Sequence, residues 1–112
     1  VKVINKTRST IIAESVKIAD TPASRLIGLL KHSTISPHEA LIITHTRSIH
    51  MFFMRFAIDV IFVDKNFRVV GLVKNIKPFR MSPYFWRAHY AIEAAPETIS
   101  SSRTEMGDEV GW

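Results

Sequence analysis

IDVIFVDKNFRVVGLV, residues 58–73, is the stretch on which the fold turns. Two runs rich in β-branched residues, Ile58–Val63 and Arg68–Val73, flank Asp64-Lys65-Asn66-Phe67, a segment with turn chemistry. The arrangement predicts an antiparallel hairpin, because each run is too short for a buried helix and both are bounded by turn residues. A hairpin turn of this length needs a residue at positive φ. Asn66 is expected to take it, since Phe67 adopts that conformation poorly.

Asp59 is the one side chain in Ile58–Val63 that is not apolar. A carboxylate in such a run is costly to bury without partners. Its expected role is structural, as half of a buried ion pair or as acceptor of backbone N–H bonds that fix a neighbouring loop. The competing role is functional, as a base or ligand anchor. Arg47, His50, Arg55 and Arg80 are its candidate partners.

Working outward, Ala40–Thr44 reads as a strand leading into the apolar but ionisable segment that ends at Arg55. Val1–Asn5 alternates Val and Lys and reads as an edge strand, and Thr10–Ala19 as its antiparallel partner, bulged near Ala13–Ser15. Between them and Ala40, Asp20 or Thr21 caps a helix whose Pro22 suits the first turn. Its Ala23, Leu26, Ile27 and Leu30 form one apolar face. Downstream, Lys74–Arg87 is a long basic and aromatic connection. Its Phe79, Tyr84, Phe85 and Trp86 are expected to cover the end of the core, with a lid or binding loop as the alternative. Ala88–Ala94 and Glu109–Trp112 read as strands, and Pro96–Ser102 as one or two helical turns. The sum is one domain, residues 1–112, mainly β and α+β by content. It is expected to be an antiparallel two-sheet sandwich or distorted barrel of about seven short strands, with one clear helix in the N-terminal half and a short C-terminal one.

A hydrophobic share of 46% with 22% charged residues suits a soluble globular chain. No apolar run reaches the ~18 residues of a membrane span, since Arg55 and Asp59 interrupt Met51–Val63. No signal peptide is visible, and a start at Val1 is compatible with processing or trimming, so the compartment stays open. Cysteine is absent, which removes disulfides, thiol nucleophiles and Cys-type zinc sites together. The net charge of +5 suits nucleic acid or an anionic surface, though it serves solubility equally well. No cofactor is expected, and the oligomeric state is not readable.

Ser48–Val70, SIHMFFMRFAIDVIFVDKNFRVV, resembles the signature of the domain-of-unknown-function 192 (DUF192) family, common in prokaryotes. So do SRLIGLL at 24–30, IKPFR at 76–80, AIEA at 91–94 and GDEV at 107–110, in family order and spacing. Four positions depart from the family pattern. His45-Thr46 replaces a Pro-Cys pair, Ala57 a Pro, Phe67 the hairpin Gly, and Glu97 a Gly after the Glu strand. The resemblance implies a sandwich-like β fold and no established activity; without the Cys it implies no thiol chemistry.

Three functional readings follow. The first is a non-enzymatic binding module for a small anionic or amphipathic ligand at residues 45–59, lined by Arg47, Ser48, His50, Arg55, Asp59 and Arg80. The second is an enzyme acting on an anionic small molecule, with catalytic candidates His50 as acid/base and Asp59 to orient it. The third is nucleic-acid binding through the basic-aromatic loop 74–87; a flat basic face with Phe79, Tyr84 or Trp86 exposed favours it. His45, His50, Met51 and Met54 are a thioether and imidazole set that would suit copper(I), yet methionines in an apolar run are ordinarily core filler. Ser48 lacks the strained Gly-flanked turn of an activated serine. Asp59 with Glu93 makes a glycosidase-type pair only if the fold brings them within about 5–9.5 Å.

Overall fold

A computed structural model describes residues 2–19, 35–51 and 54–112. The elements are β1 (Val3–Asn5), β2 (Thr10–Ala13), β3 (Ser15–Ala19), β4 (Glu39–Thr44), β5 (Ile58–Val63), β6 (Val69–Ile76), β7 (Tyr90–Ala94), α1 (Thr98–Ser101) and β8 (Val110–Gly111). They build two open sheets, one of three strands in the order β2-β1-β8 and one of five in the order β3-β4-β7-β5-β6. The two-sheet sandwich, not the barrel, is therefore the architecture. The helix expected from Asp20 or Thr21 to Leu30 lies outside the described residues.

The hairpin forms as read. β5 pairs antiparallel with β6, and Asp64 Oδ1 accepts the N–H groups of Asn66 (2.8 Å) and Arg68 (3.0 Å), which closes the turn. The left-handed residue, however, is Phe67 at φ 64°, not Asn66. Tertiary packing decides this: the Phe67 ring stacks on Tyr90 (centroids 5.5 Å) and meets Trp112 edge-on (5.0 Å). Those contacts offset a backbone preference worth about 1–2 kcal/mol.

β1 is not an edge strand. It is the centre of the smaller sheet, flanked by β2 and β8, and Val3 and Asn5 are fully buried. The Thr10–Ala19 stretch is two strands. Its break at Glu14 sends β3 to the other sheet, where the N–H groups of Glu14 and Ser15 both donate to His38 O at 3.0 Å. β3 there pairs parallel to β4, the one parallel pair among the described strands.

All six residues of β5 are buried because both faces of the larger sheet are covered. Ile58, Val60 and Phe62 join Leu41, Ile43, Ile49, Met51 and Met54 on one face. Ile61 and Val63 join Val3, Ile42, Ile92, Ile99 and Val110 on the other. The second face is closed by the small sheet and α1. On the first, the cover among the described residues is the irregular chain of 45–51 and 79–88, and that difference positions the site.

Gly71 is the anchor point for that irregular cover. It lies opposite Phe62 in the β5–β6 register, and a Cβ added to it would stand 2.6 Å from the ring of Phe85. Phe85 fills that gap and packs on Phe62 with centroids 4.6 Å apart. Gly71→Ala is expected to destabilise the fold by about 1–3 kcal/mol, because Phe85 must leave its place. An unchanged urea midpoint would show that the ring has room to move.

Candidate functional site

Residues 45–51 and 79–85 run antiparallel over the first sheet face. Phe79 N–H donates to Met51 O (2.7 Å), Met51 N–H to Arg80 O (2.8 Å), Ser82 N–H to Ile49 O (2.8 Å) and Phe85 N–H to Arg47 O (2.8 Å). Ser82 ties the pair from within: its Oγ accepts the Ile49 N–H at 2.8 Å and donates to Pro83 O at 2.9 Å. Ile49, Met51, Ser82 and Ala88 are buried and Phe85 packs inward, while His50, Tyr84, Trp86 and Arg87 are exposed. Phe79 and Tyr84 are each 63% exposed and Trp86 67%. The expectation that these aromatics cover the core therefore holds for Phe85 alone. Backbone anchoring at Ser82 and Phe85 leaves Tyr84 and Trp86 mostly in solvent.

This cover ends in two open clefts at the pole where β4, β5 and β7 meet the loops. The first, about 550 Å3, is walled by His45, Arg47, Ser48, Tyr84, Ala88 and His89. The second, about 490 Å3, lies between Asp64-Lys65-Asn66 and Trp86-Arg87, and shares Arg47, Ala88 and His89 with the first. His45 and His89 meet edge-on with centroids 4.6 Å apart, and His89 meets Tyr90 in the same way at 4.6 Å. Arg47 Nη1 donates to the Tyr84 hydroxyl at 3.3 Å, and the Arg87 guanidinium sits 4.9 Å from the Trp86 ring centroid. Neither arginine has an ion-pair partner among the described carboxylates. Asp64, the one carboxylate in either cleft, has its Oδ1 occupied by two turn N–H groups.

The residues expected to form one site fall in three places. Arg47 and Ser48 line the first cleft. His50 and Arg80 lie further along the same antiparallel pair, where His50 bridges to Met81, and Arg55 is exposed beyond it. Asp59 does not join them. Strand alternation turns it to the opposite face, where it is 2% exposed, with Oδ1 accepting Asn75 N–H (2.8 Å) and Oδ2 accepting Ile99 N–H (2.9 Å). Asp59 therefore cannot orient His50. The Asp59–Glu93 pair fails for the same reason. Val60, not Asp59, is in register with Glu93, so the two carboxylates project from opposite faces. Met51 and Met54 are core side chains, and the described residues hold no cluster of three His, Asp or Glu fit for a metal ion. His89 was not among the sequence candidates; its only signal is an ionisable ring at the head of an apolar strand.

The model of the DUF192 family, described as "Uncharacterized ACR", matches residues 3–112. The chain belongs to the DUF192 family. Among curated relatives, it is 40% identical to a UPF0127 protein of Thermococcus sibiricus over 97% of this chain and 73% of that one. It is 38% identical to one of Pyrococcus horikoshii over 98% and 97%. Among solved structures, a protein of unknown function from Novosphingobium aromaticivorans superposes with a TM-score of 0.84 at 21% identity, over 100% of this chain and 84% of that one. A putative transcription regulator from Sinorhizobium meliloti gives 0.77 at 18%, over 98% and 89%. At these identities the likeness is one of fold.

Three departures from the DUF192 pattern now have positions. Phe67 and Glu97, which stand where the family pattern carries glycine, both take left-handed backbone, at φ 64° and 76°. Glycine adopts that backbone at the least cost, so both residues sit where a side chain is tolerated only at some strain. His45-Thr46, which replaces Pro-Cys, sits in the wall of the first cleft, so this DUF192 chain has an imidazole there.

Proposed function

We propose that this chain is a non-enzymatic binding module for an anionic ligand that carries a planar group, held where residues 45–48 face residues 84–89. The observation that carries the reading is the shared wall of the two clefts. Arg47 stands in both, Arg87 stands in the second, and neither has a described acid partner, while Tyr84 and Trp86 offer ring faces beside them. Arginine meets phosphate or carboxylate with two parallel bonds, and aromatic rings take the planar part. An acid/base reading has less support, because Asp59 is turned away from His50 and spent on backbone donors.

Thymidine 5′-monophosphate, a phosphate bearing a planar base, tests the reading by titration calorimetry. Arg47→Ala is expected to weaken binding about tenfold, the size of one lost charge-assisted hydrogen bond. Arg55→Ala, at an exposed residue outside both clefts, is expected to leave it within about twofold, as surface charges ordinarily do. Equal binding by wild type and Arg47→Ala would sink the placement.

A further inference from the structure

We infer that the ligand is a single-stranded nucleic acid, laid across both clefts with one base against Tyr84 and a neighbouring base against Trp86. The inference rests on the reading above and names its ligand class. Each cleft has its own exposed ring, Tyr84 in the first and Trp86 in the second, and the wall between them carries Arg47 and His89. That is a repeat of one arrangement, ring plus cation, along a single surface. A lone small molecule is ordinarily enclosed by a pocket with apolar walls. These clefts are open, and their rings are 63% and 67% exposed. Every base has a π face, so a row of exposed rings takes successive unpaired bases whatever their identity, whereas a duplex keeps its bases stacked inside.

Charge points the same way. Residues 40–58 and 65–92, which include the whole antiparallel cover, contain no Asp or Glu, while they hold Arg47, Lys77, Arg80 and Arg87. A backbone of phosphates laid on this surface meets Asp64 as its one nearby carboxylate, and the two N–H groups on Oδ1 offset part of that charge. The Arg87 guanidinium beside the Trp86 ring puts a phosphate partner next to a stacking face.

Fluorescence anisotropy with labelled oligothymidylate and oligouridylate twelve-mers tests this, with thymidine 5′-monophosphate as competitor. At least one twelve-mer is expected to bind at least tenfold more tightly than the mononucleotide. Trp86→Ala and Tyr84→Ala are each expected to weaken it roughly tenfold, the scale of one lost base–ring stack. The log–log salt dependence is expected to have a slope of about −2, for three phosphates met by Arg47, Arg87 and Lys65. Both substituted residues are exposed, and an unchanged circular dichroism spectrum and melting midpoint verify folding. A mononucleotide that binds as tightly as the twelve-mers overturns the strand and leaves the anionic-ligand reading standing. Wild-type affinity in both ring variants also overturns it. If neither twelve-mers nor mononucleotide bind, both readings fall.

Discussion

Asp108→Asn is expected to lower the unfolding free energy at pH 7 by about 3 kcal/mol, the cost of breaking a buried, multiply bonded carboxylate. Asp108 is 3% exposed and ties the C-terminal strand to the N-terminal turn. Its Oδ2 accepts Asn5 Nδ2 (3.0 Å), Arg8 Nε (3.0 Å) and the Glu105 N–H (2.9 Å), and its Oδ1 accepts Arg8 Nη2 at 3.3 Å. Asn5 is itself fully buried and also donates to Thr104 Oγ1 at 3.1 Å, so the loss reaches beyond one side chain. Arg8 also contacts the Glu105 carboxylate, but at the surface.

The same geometry gives the effect a pH window. Burial opposes ionisation of Asp108, yet the bonds from Arg8, Asn5 and the Glu105 N–H, with the Arg8 charge, outweigh it and draw the pKa down from 3.8 to about 2. A carboxyl group depressed in the folded state stabilises it fully above its unfolded value. That contribution disappears as pH falls through the folded value. The wild type is therefore expected to lose about 2 kcal/mol between about pH 4 and pH 2 that the Asn variant does not lose. Urea unfolding of both proteins across that range checks it. A wild-type advantage that stays constant from pH 7 to pH 2 would show that the charge on Asp108 is not what the network uses.

Asp59→Ala is expected to cost about 3 kcal/mol for a different reason: it orphans two backbone donors at once. One is the Asn75 N–H in β6. The other is the Ile99 N–H in the first turn of α1. That helix is four residues long, and its N-cap, Glu97, makes no side-chain cap bond. Asp59 thus caps α1 from a neighbouring strand, and without it the turn has no other acceptor among the described side chains for that donor. The folded Ala variant is expected to bind thymidine 5′-monophosphate within about twofold of wild type, because Asp59 faces away from the clefts. A variant that kept its melting midpoint and lost binding would place Asp59 at the ligand, contrary to the register of β5.

Much of this was legible before any coordinates. The 58–73 hairpin, a turn at 64–67, a mainly β sandwich-or-barrel class and the need of Asp59 for a partner, ionic or backbone, follow from alternation, turn chemistry and the cost of a bare buried carboxylate. The small sheet was harder to read. Val1–Asn5 shows the same Val/Lys alternation whether it sits at an edge or between two partners, and its neighbour β8 lies at the far end of the chain. The Asp108 network went unread for the same reason, since Asn5, Arg8, Thr104 and Asp108 are ordinary polar residues until β1 and β8 pair.

Strand periodicity, turn propensity and desolvation are local properties of the chain, so most extended segments, the 64–67 turn and the need of Asp59 for partners are readable from the residues alone. Which side of a sheet each group faces is set by the pairing of strands in three dimensions. A shift of one residue along a strand reverses that side, and pairing partners remote in sequence set the register. This is why Asp59 left the candidate site for the opposite face. It is also why Gly71, by leaving room for Phe85, turns Tyr84 and Trp86 out to solvent beside Arg47.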